Sequence, residues 1–146
     1  MEHDAFRREL LDSVWTMERV MRKHMVPICQ RHGITIQQLH VLMNLSKEPG
    51  VTAGELSDRS GILRTNFTAL CRKMEEAGLI ERRRSERDRR SLELQITDEG
   101  RALLTDIEDD ARQEFEPVLA EEPPETFEAI STGLCELNRL AGKLMR

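Results

Sequence analysis

Hydrophobic residues recur at steps of three and four along much of the chain, which is the spacing of amphipathic helices. The first such stretch covers residues 4–31, where Pro27 is expected to kink or loosen the last turn and Gly33 to end the helix. The same periodicity predicts further helices over residues 35–48, 52–60, 63–77, 98–116 and 125–145.

Two of the predicted helices begin with a capping box. Thr35 is followed three residues later by Gln38, and the same spacing recurs in the next helix. There, Thr52 is followed by Glu55. In each pair the two side chains can satisfy backbone N–H groups that the first helical turn leaves without a partner. Gly61 follows the helix over residues 52–60 and Gly78 follows the helix over 63–77, and each is typical of a C-terminal stop.

Between residues 79 and 97 the period changes to two. Leu92, Leu94 and Ile96 alternate with polar residues and predict a strand, and "LIERRR" before the loop "SERD" predicts its antiparallel partner. The loop holds no Asn-Gly or Asp-Gly pair, so it is expected to be longer than two residues. A short helix, a turn, a second helix and a hairpin predict a winged helix-turn-helix. The fold class is therefore mainly α (α+β), with helices before and after this domain.

Charge is strongly segregated along the chain. The formal net charge is -5, yet six of the nine residues from Arg82 to Arg90 are arginines, and this stretch carries +4. Residues 98–128 carry twelve acids and two arginines. Charge runs on hairpins are usually solvated surface, but segregation beside a helix-turn-helix favours DNA binding. A DNA backbone would relieve the repulsion among the arginines, and an arginine could enter the minor groove.

The second helix of the pair is predicted to lie in a major groove, where its N-terminal side chains reach base edges. If Phe67, Leu70 and Met74 are buried, its hydroxyl, amide and cationic side chains lie on the other side. Asp88 is expected to hold the hairpin loop as an ion-pair partner of the arginines. The predicted DNA-contacting residues are Arg64, Thr65, Asn66, Thr68, Arg72, Lys73, Arg84, Arg87, Asp88, Arg89 and Arg90.

Four stretches within residues 35–104 carry a family resemblance: "ITIQQLHVL", "VTAGELSDRSGI", "FTALCRKMEEAGLIERR" and "DRRSLELQITDEGRALL". The most specific feature is Asp-x-Arg in the wing, occupied by Asp88 and Arg90, followed by a strand that ends in Thr and then by Glu-Gly. In these stretches the chain closely resembles the MarR family of bacterial and archaeal transcriptional regulators. The resemblance implies a homodimer in which the two winged domains read the halves of a palindromic operator.

The resemblance also divides the chain by role, within one structural unit overall. Residues 1–34 would form an N-terminal dimerisation helix, 35–100 the winged helix-turn-helix DNA-binding domain, and 101–146 the C-terminal dimerisation helices. Independently, the apolar heptad of the last helix suits a helix partner, although packing within one subunit would explain it equally well. The predicted dimerisation residues are Phe6, Leu10, Phe127, Ile130, Leu134, Leu137 and Leu144.

The chain departs from the family pattern where the second helix of the pair begins. The family often has Ser at the position of Leu63, Pro at Arg64 and Arg at Ala69. Leu63 cannot cap the helix, so Thr65 or Asn66 is expected to do so. Base specificity is then expected to rest on Arg64, Asn66 and Arg72.

Family members commonly bind small, often phenolic, anions between the dimerisation helices and the winged domain. Candidate lining residues are Trp15, Met17, His40 and Met43, although a core or surface position is the simpler interpretation of each. The stretches "GILR" and "RHGIT" resemble members that control aromatic-acid catabolism. The sequence thus predicts a homodimeric repressor that is released from its operator by a small aromatic ligand.

Two alternatives remain open. A thiol-based redox sensor of the same fold would use Cys29, whose pKa Lys23 and Arg31 could lower. The second alternative is a winged helix that binds a protein instead of DNA, although the arginine-rich hairpin argues against it. A zinc site is a further possibility, because four potential ligands lie near one helix junction. However, the predicted helix over residues 98–116 has no His to complete such a site. The four potential ligands are His24, Cys29, His32 and His40.

Other classes of protein are disfavoured. No catalytic motif is present, so we expect neither an enzyme nor a cofactor or metal site. No stretch is long and apolar enough to span a membrane, and the charged N-terminus does not resemble a signal peptide. Three widely spaced cysteines do not indicate a disulfide framework. We therefore expect a cytoplasmic, nucleoid-associated protein.

Overall fold

The computed structural model describes residues 2–145. The chain divides into two compact units, with the boundary between Ala111 and Arg112. The division by role into residues 1–34, 35–100 and 101–146 stays a prediction. In chain order the elements are α1 (His3–Val20), a π-helical turn (Met21–Met25), α2 (Val26–Arg31), α3 (Ile36–Lys47), β1 (Val51–Thr52), α4 (Ala53–Ser60), α5 (Arg64–Glu76), β2 (Ile80–Arg84), β3 (Leu92–Ile96), α6 (Asp98–Leu119) and α7 (Pro124–Leu144). The predicted order of helices and hairpin is confirmed.

The long N-terminal helix is continuous but contains a wider π-helical turn just before Pro27. The N–H of Val26 bonds to the carbonyl of Met21, five residues back. Proline has no N–H to donate to the preceding turn, so the predicted disturbance is present, one turn earlier than expected. None of the residues of α1 is buried, whereas Ile28 and Cys29 of α2 are. Only the end of this helical segment therefore joins the core.

Both predicted capping boxes are formed. The N–H of Gln38 donates to Thr35 Oγ1 at 3.2 Å, and the N–H of Thr35 donates to Gln38 Oε1 at 3.0 Å. The same reciprocal pair joins Thr52 and Glu55 at the start of α4. These local bonds set where α3 and α4 begin.

The sheet has three antiparallel strands in the order β1-β3-β2. Sequence periodicity gave no sign of β1, because a strand of two residues is too short to display a period. Val51 of β1 pairs with Leu94 of β3, and both side chains are buried. The pairing fixes β3, at Glu93 and Leu94, to the short strand that leads into α4.

The core of the first unit is aliphatic, with one aromatic ring, and it joins α3, α4 and α5 to the sheet. Because α5 and the hairpin share this core, the helix and the wing are held in one arrangement. The most deeply buried large side chains are Ile28, Val41, Leu42, Leu45, Leu56, Phe67, Met74, Leu94 and Ile107.

The base of the wing is closed by the Thr-x-x-Gly stretch that follows β3. Thr97 Oγ1 donates to the carbonyl of Gly78 and accepts from the N–H of Gly100. A Cβ at residue 100 would lie 2.2 Å from the carbonyl oxygen of Leu79, so only glycine allows this approach. The geometry at the end of β3 and the start of α6 thus depends on a close backbone contact.

The helix α6 ends at Leu119, three residues beyond the predicted end at Glu116, and includes Pro117. Proline removes one backbone hydrogen bond, but the N–H of Ala120 still bonds to the carbonyl of Glu116 at 2.8 Å. In the second unit, α7 lies within one residue of its predicted bounds, and none of its residues is buried.

Candidate DNA interface

The turn between α4 and α5 is held by its own side chains. The buried Ser57 donates from Oγ to the carbonyl of Ile62 at 3.1 Å. Ser60 Oγ donates to the carbonyl of Ser57 and accepts from the N–H of Ile62. Gly61 supplies the left-handed backbone conformation, with φ of 68°. The start of α5 is therefore fixed relative to α4.

One face of α5 packs in the core and the other faces solvent. Phe67, Cys71 and Met74 of the predicted apolar stripe are buried, whereas Leu70 is only half-buried. The six predicted DNA-contacting residues of this helix are all exposed: Arg64, Thr65, Asn66, Thr68, Arg72 and Lys73. The helix thus presents hydroxyl, amide and cationic groups on a rigid support.

The start of α5 has no side-chain cap. Leu63 occupies the N-cap position, and the expectation that Thr65 or Asn66 caps the helix is wrong. Both lie inside the first turn, where their side chains point outward. Thr68 Oγ1 donates to the carbonyl of Arg64 at 2.9 Å, so its hydroxyl proton is used within the helix. Thr65 and Asn66 are therefore better placed than Thr68 to donate to a ligand.

Strand alternation divides the arginines of the hairpin. Arg82 lies on the face of β2 that packs towards α5, where its Nε contacts Glu75 Oε1 at 2.5 Å. Arg83 lies on the opposite face, and its Nη2 contacts Glu81 Oε1 at 2.6 Å. Carboxylates of the protein itself therefore neutralise these two guanidinium groups. DNA is not needed to relieve the mutual repulsion of all six arginines in the hairpin. The other four form no ion pair within residues 2–145: Arg84, Arg87, Arg89 and Arg90.

The wing loop is ordered by hydrogen bonds around Ser85, which is buried. Ser85 Oγ accepts from the N–H groups of Arg87 and Asp88, both at 3.2 Å. Asp88 accepts from the N–H of Arg90 at 3.0 Å and from Ser91 Oγ at 3.2 Å. Asp88 therefore holds the loop by hydrogen bonds, and not by the ion pairs that we expected. Both oxygens of the Asp88 carboxylate are thus hydrogen-bonded within the loop, and the arginine side chains around it remain exposed.

Comparisons with known proteins agree with this geometry. The MarR family model matches residues 32–91. The homoprotocatechuate degradative operon repressor of Escherichia coli is 32% identical over 115 residues, covering 76% of this chain and 75% of that protein. The chain belongs to the MarR family. It is a transcriptional regulator of that family, as its sequence motifs predicted.

Solved structures of MarR proteins share the fold. A MarR family protein from Bacillus stearothermophilus is 20% identical and has a TM-score of 0.81, with 97% of this chain and 99% of that chain covered. The repressor CouR, bound to a 23-mer DNA duplex, is 27% identical with a TM-score of 0.73, covering 94% of this chain and 98% of that chain. The winged helix-turn-helix fold of this MarR protein is thereby confirmed.

The predicted ligand-lining residues do not form one cluster. Trp15 and Met17 are both exposed on α1, but a spacing of two residues places them about 160° apart around a helix. His40 and Met43 lie one turn apart on the exposed side of α3. The structure of this MarR chain thus brings together His40 and Met43, and it separates Trp15 from Met17.

The cysteines of the first unit lack the properties of a redox sensor. Cys29 is 1% exposed, and burial raises the pKa of its thiol, so the expected lowering is wrong. Burial also raises the pKa of Cys71 to about 11. Because the thiolate is the reactive form, neither side chain is suited to react with peroxide.

A contact that the sequence did not predict joins α2 to α6. His32 Nε2 lies 2.7 Å from Asp110 Oδ2, and Arg31 Nη2 lies 3.6 Å from the same oxygen. The hydrogen bond from His32 is the main cause that lowers the pKa of the Asp110 carboxyl. No local signal could reveal this pair, because its members are 78 residues apart.

A groove in the first unit lies beside the wing and has a volume of about 820 Å³. Its walls mix acids with arginines, and an ion pair between Arg59 and Glu48 lies in it. Such a lining does not favour an anion over a cation. Within residues 2–145, no three His, Cys, Asp or Glu side chains are grouped to hold a metal ion. No helix there is long and apolar enough to cross a membrane.

Proposed function

We propose that this protein is a homodimeric repressor that binds a palindromic operator through α5 and the wing, and that a small aromatic acid releases it. The observation that carries the proposal is the set of unpaired arginines beside an exposed polar helix face. Four guanidinium groups project from one ordered hairpin: Arg84, Arg87, Arg89 and Arg90. A phosphate backbone is the ligand that such a surface fits best, because each neutralised phosphate releases counterions.

Contacts to bases are assigned to α5. Asn66 can donate and accept in the bidentate pattern that suits adenine, and Arg72 can pair with guanine. Arg64 lies beside the first turn of α4, since a Cβ at Gly54 would be 3.7 Å from its Nη2. From there Arg64 suits a phosphate more than a base, so we infer that specificity rests mainly on Asn66 and Arg72.

The dimer is supported by the apolar faces of α1 and α7. Neither helix has a buried residue, although each carries a stripe of large apolar side chains. On α7, Ile130 is 54% and Leu134 is 53% exposed. Stripes of this length mark an interface, and a second copy of the chain supplies matching ones. A dimer would present two reading helices, which suits a palindrome.

The ligand is assigned by class. The name of the Escherichia coli relative connects it with degradation of homoprotocatechuate, a phenolic acid. Trp15, His40 and Met43 offer aromatic, polar and polarisable surface that is exposed in one chain. We infer that a site for a phenolic acid uses some of these residues once a second copy is present. The protein would act by binding, without catalysis, on nucleoid DNA in the cytoplasm.

DNA binding across a salt series tests the proposal. A duplex selected from a random library and an unrelated duplex would each be titrated by fluorescence anisotropy between about 50 and 300 mM KCl. We expect log K to fall linearly with log salt concentration. Arg90→Ala should weaken both duplexes alike and make the slope shallower by about 1.

Arg139→Ala is the matched control, because it removes the same charge from α7, where Arg139 pairs with Glu136. It should leave both affinities unchanged. Absence of binding at the lowest salt concentration would contradict the proposal and favour a winged helix that binds protein. Homoprotocatechuate should release the bound duplex, whereas an aliphatic acid of similar size should not.

A further inference from the structure

Leu63 is the most exposed of the large apolar side chains described in the first unit, at 72%. It stands at the N-cap of α5, next to the exposed Arg64 and Thr65. A single exposed leucine is ordinary on a protein surface. This one lies at the end of the helix that we propose enters the major groove, so its surroundings decide what it can contact.

The backbone on both sides of Leu63 is fixed. The preceding carbonyl, that of Ile62, accepts from the buried Ser57. The carbonyl of Leu63 itself accepts at 2.9 Å from the N–H of Phe67, whose ring is buried. The leucine side chain is therefore presented from a rigid support and not from a mobile loop.

Leucine at this position does not help the fold. It makes no capping hydrogen bond, whereas Ser, Thr, Asp or Asn at an N-cap would stabilise the helix. Nor does it add to the core, because most of its surface remains in water. The position combines a missing cap with exposed apolar surface, and both are explained if the side chain is covered by a ligand.

We infer that Leu63 is a specificity-determining residue that contacts the 5-methyl group of a thymine in the operator. In the major groove this methyl is the apolar group that base edges offer, and side chains at the start of a recognition helix reach it. The adjacent Arg64, and Arg72 further along the same exposed helix face, favour a nucleic acid over an apolar protein surface. The inference rests on the proposed function, in that it needs α5 to lie in the groove.

Replacing thymine with deoxyuridine removes only the methyl group, and this tests the inference. Each thymine of the selected duplex would be replaced in turn. The wild-type protein should lose affinity on the order of fourfold at one position in each half-site, as expected for one buried methyl. Leu63→Ser should bind the thymine and deoxyuridine duplexes equally at that position, while Leu63→Met retains the difference.

The serine variant gains a capping side chain, so its folding is not at risk. Arg72→Ala is the control, since it should weaken binding but keep the thymine preference. Two results would overturn the inference while operator binding stands. In the first, Leu63→Ser prefers thymine over deoxyuridine as strongly as the wild type does; in the second, the thymine preference at no position depends on residue 63. If the wild-type protein fails to prefer the selected duplex at all, the proposed function itself is overturned.

Discussion

At the scale of single residues, charge alone does not tell what an arginine does. Arg82 is tied to Glu75 and so positions the wing against α5, whereas Arg90 is exposed at the tip. Both belong to one run in the sequence. The difference follows from their places in the hairpin, because Arg82 lies in β2 beside α5 and Arg90 lies in the loop between the strands.

Asn66→Ala is predicted to cost about 1–3 kcal/mol of operator affinity, which is the value of one good base contact. Affinity for an unrelated duplex should hardly change, because phosphate contacts remain. Anisotropy titrations with both duplexes measure the two effects separately. Asn138→Ala, an exposed position on α7, is the matched control. An equal loss on both duplexes would show that Asn66 does not read bases.

Cys29 and Cys71 are predicted to resist iodoacetamide at about pH 8 in the native protein. Both are buried, and burial raises the pKa of each thiol, so little thiolate is present or accessible. Mass spectrometry should find both alkylated only after unfolding in urea. Rapid modification of Cys29 in the native state, with loss of DNA binding, would support a redox sensor instead.

At the scale of elements, two side-chain pairs fix how helices and strands meet. The pair of Arg82 and Glu75 joins β2 to α5, and the pair of His32 and Asp110 joins the end of α2 to α6. The first lies within the winged helix-turn-helix domain. The second connects that domain's preceding helix to the helix that follows it.

Asp110→Asn is predicted to lower the urea midpoint at neutral pH, and the difference from wild type should vanish in acid. The pKa of folded Asp110 is below its ordinary value of 3.8, so the pair stabilises the fold above that pH. The contribution is lost as pH falls through the lowered folded pKa. Urea titrations from about pH 7 in steps down to about pH 2 measure this.

Asp106→Asn serves as the control for that prediction. Asp106 is exposed on the same helix, so its substitution removes a similar charge without removing the contact with His32. It should change the midpoint little at any of these pH values. A constant difference between wild type and Asp110→Asn across the pH range would show that the carboxylate charge does not matter.

At the scale of the whole molecule, an acidic chain carries a cluster of arginines in the wing. The net charge is -5, so in the proposed complex the wing and α5 would determine how a duplex approaches. A dimer would present two such surfaces, and the distance between them would have to match the spacing of the two half-sites. Affinity should therefore depend on the dimer as well as on each reading surface.

Leu134→Glu is predicted to yield monomers that bind a single half-site weakly. Its exposed side chain lies in the apolar stripe of α7, and a carboxylate there could not be buried against a second copy. Light scattering after size exclusion measures the mass, and anisotropy measures the affinity. Ser131→Glu, also exposed on α7, is the control. A stable dimer of full affinity would refute the assigned interface.

Local sequence patterns predicted the helices, the hairpin and the family of this chain. Capping boxes such as Thr35 with Gln38, and the stripe of Phe67 and Met74, depend on residues three or four positions apart. Such interactions form locally, whatever the rest of the chain does. The predicted end of α6 was too early, because the helix continues through Pro117 while the backbone hydrogen bonds of the following residues are retained.

Contacts between distant segments set which polar groups are paired or buried within the protein. The tertiary structure paired Arg82 and Arg83, buried Cys29 and brought His32 to Asp110. It also added β1, whose two residues gain their conformation from β3. Each of these outcomes depends on contacts between residues distant in sequence. Local periodicity cannot encode such contacts, because packing of the whole core selects the partners.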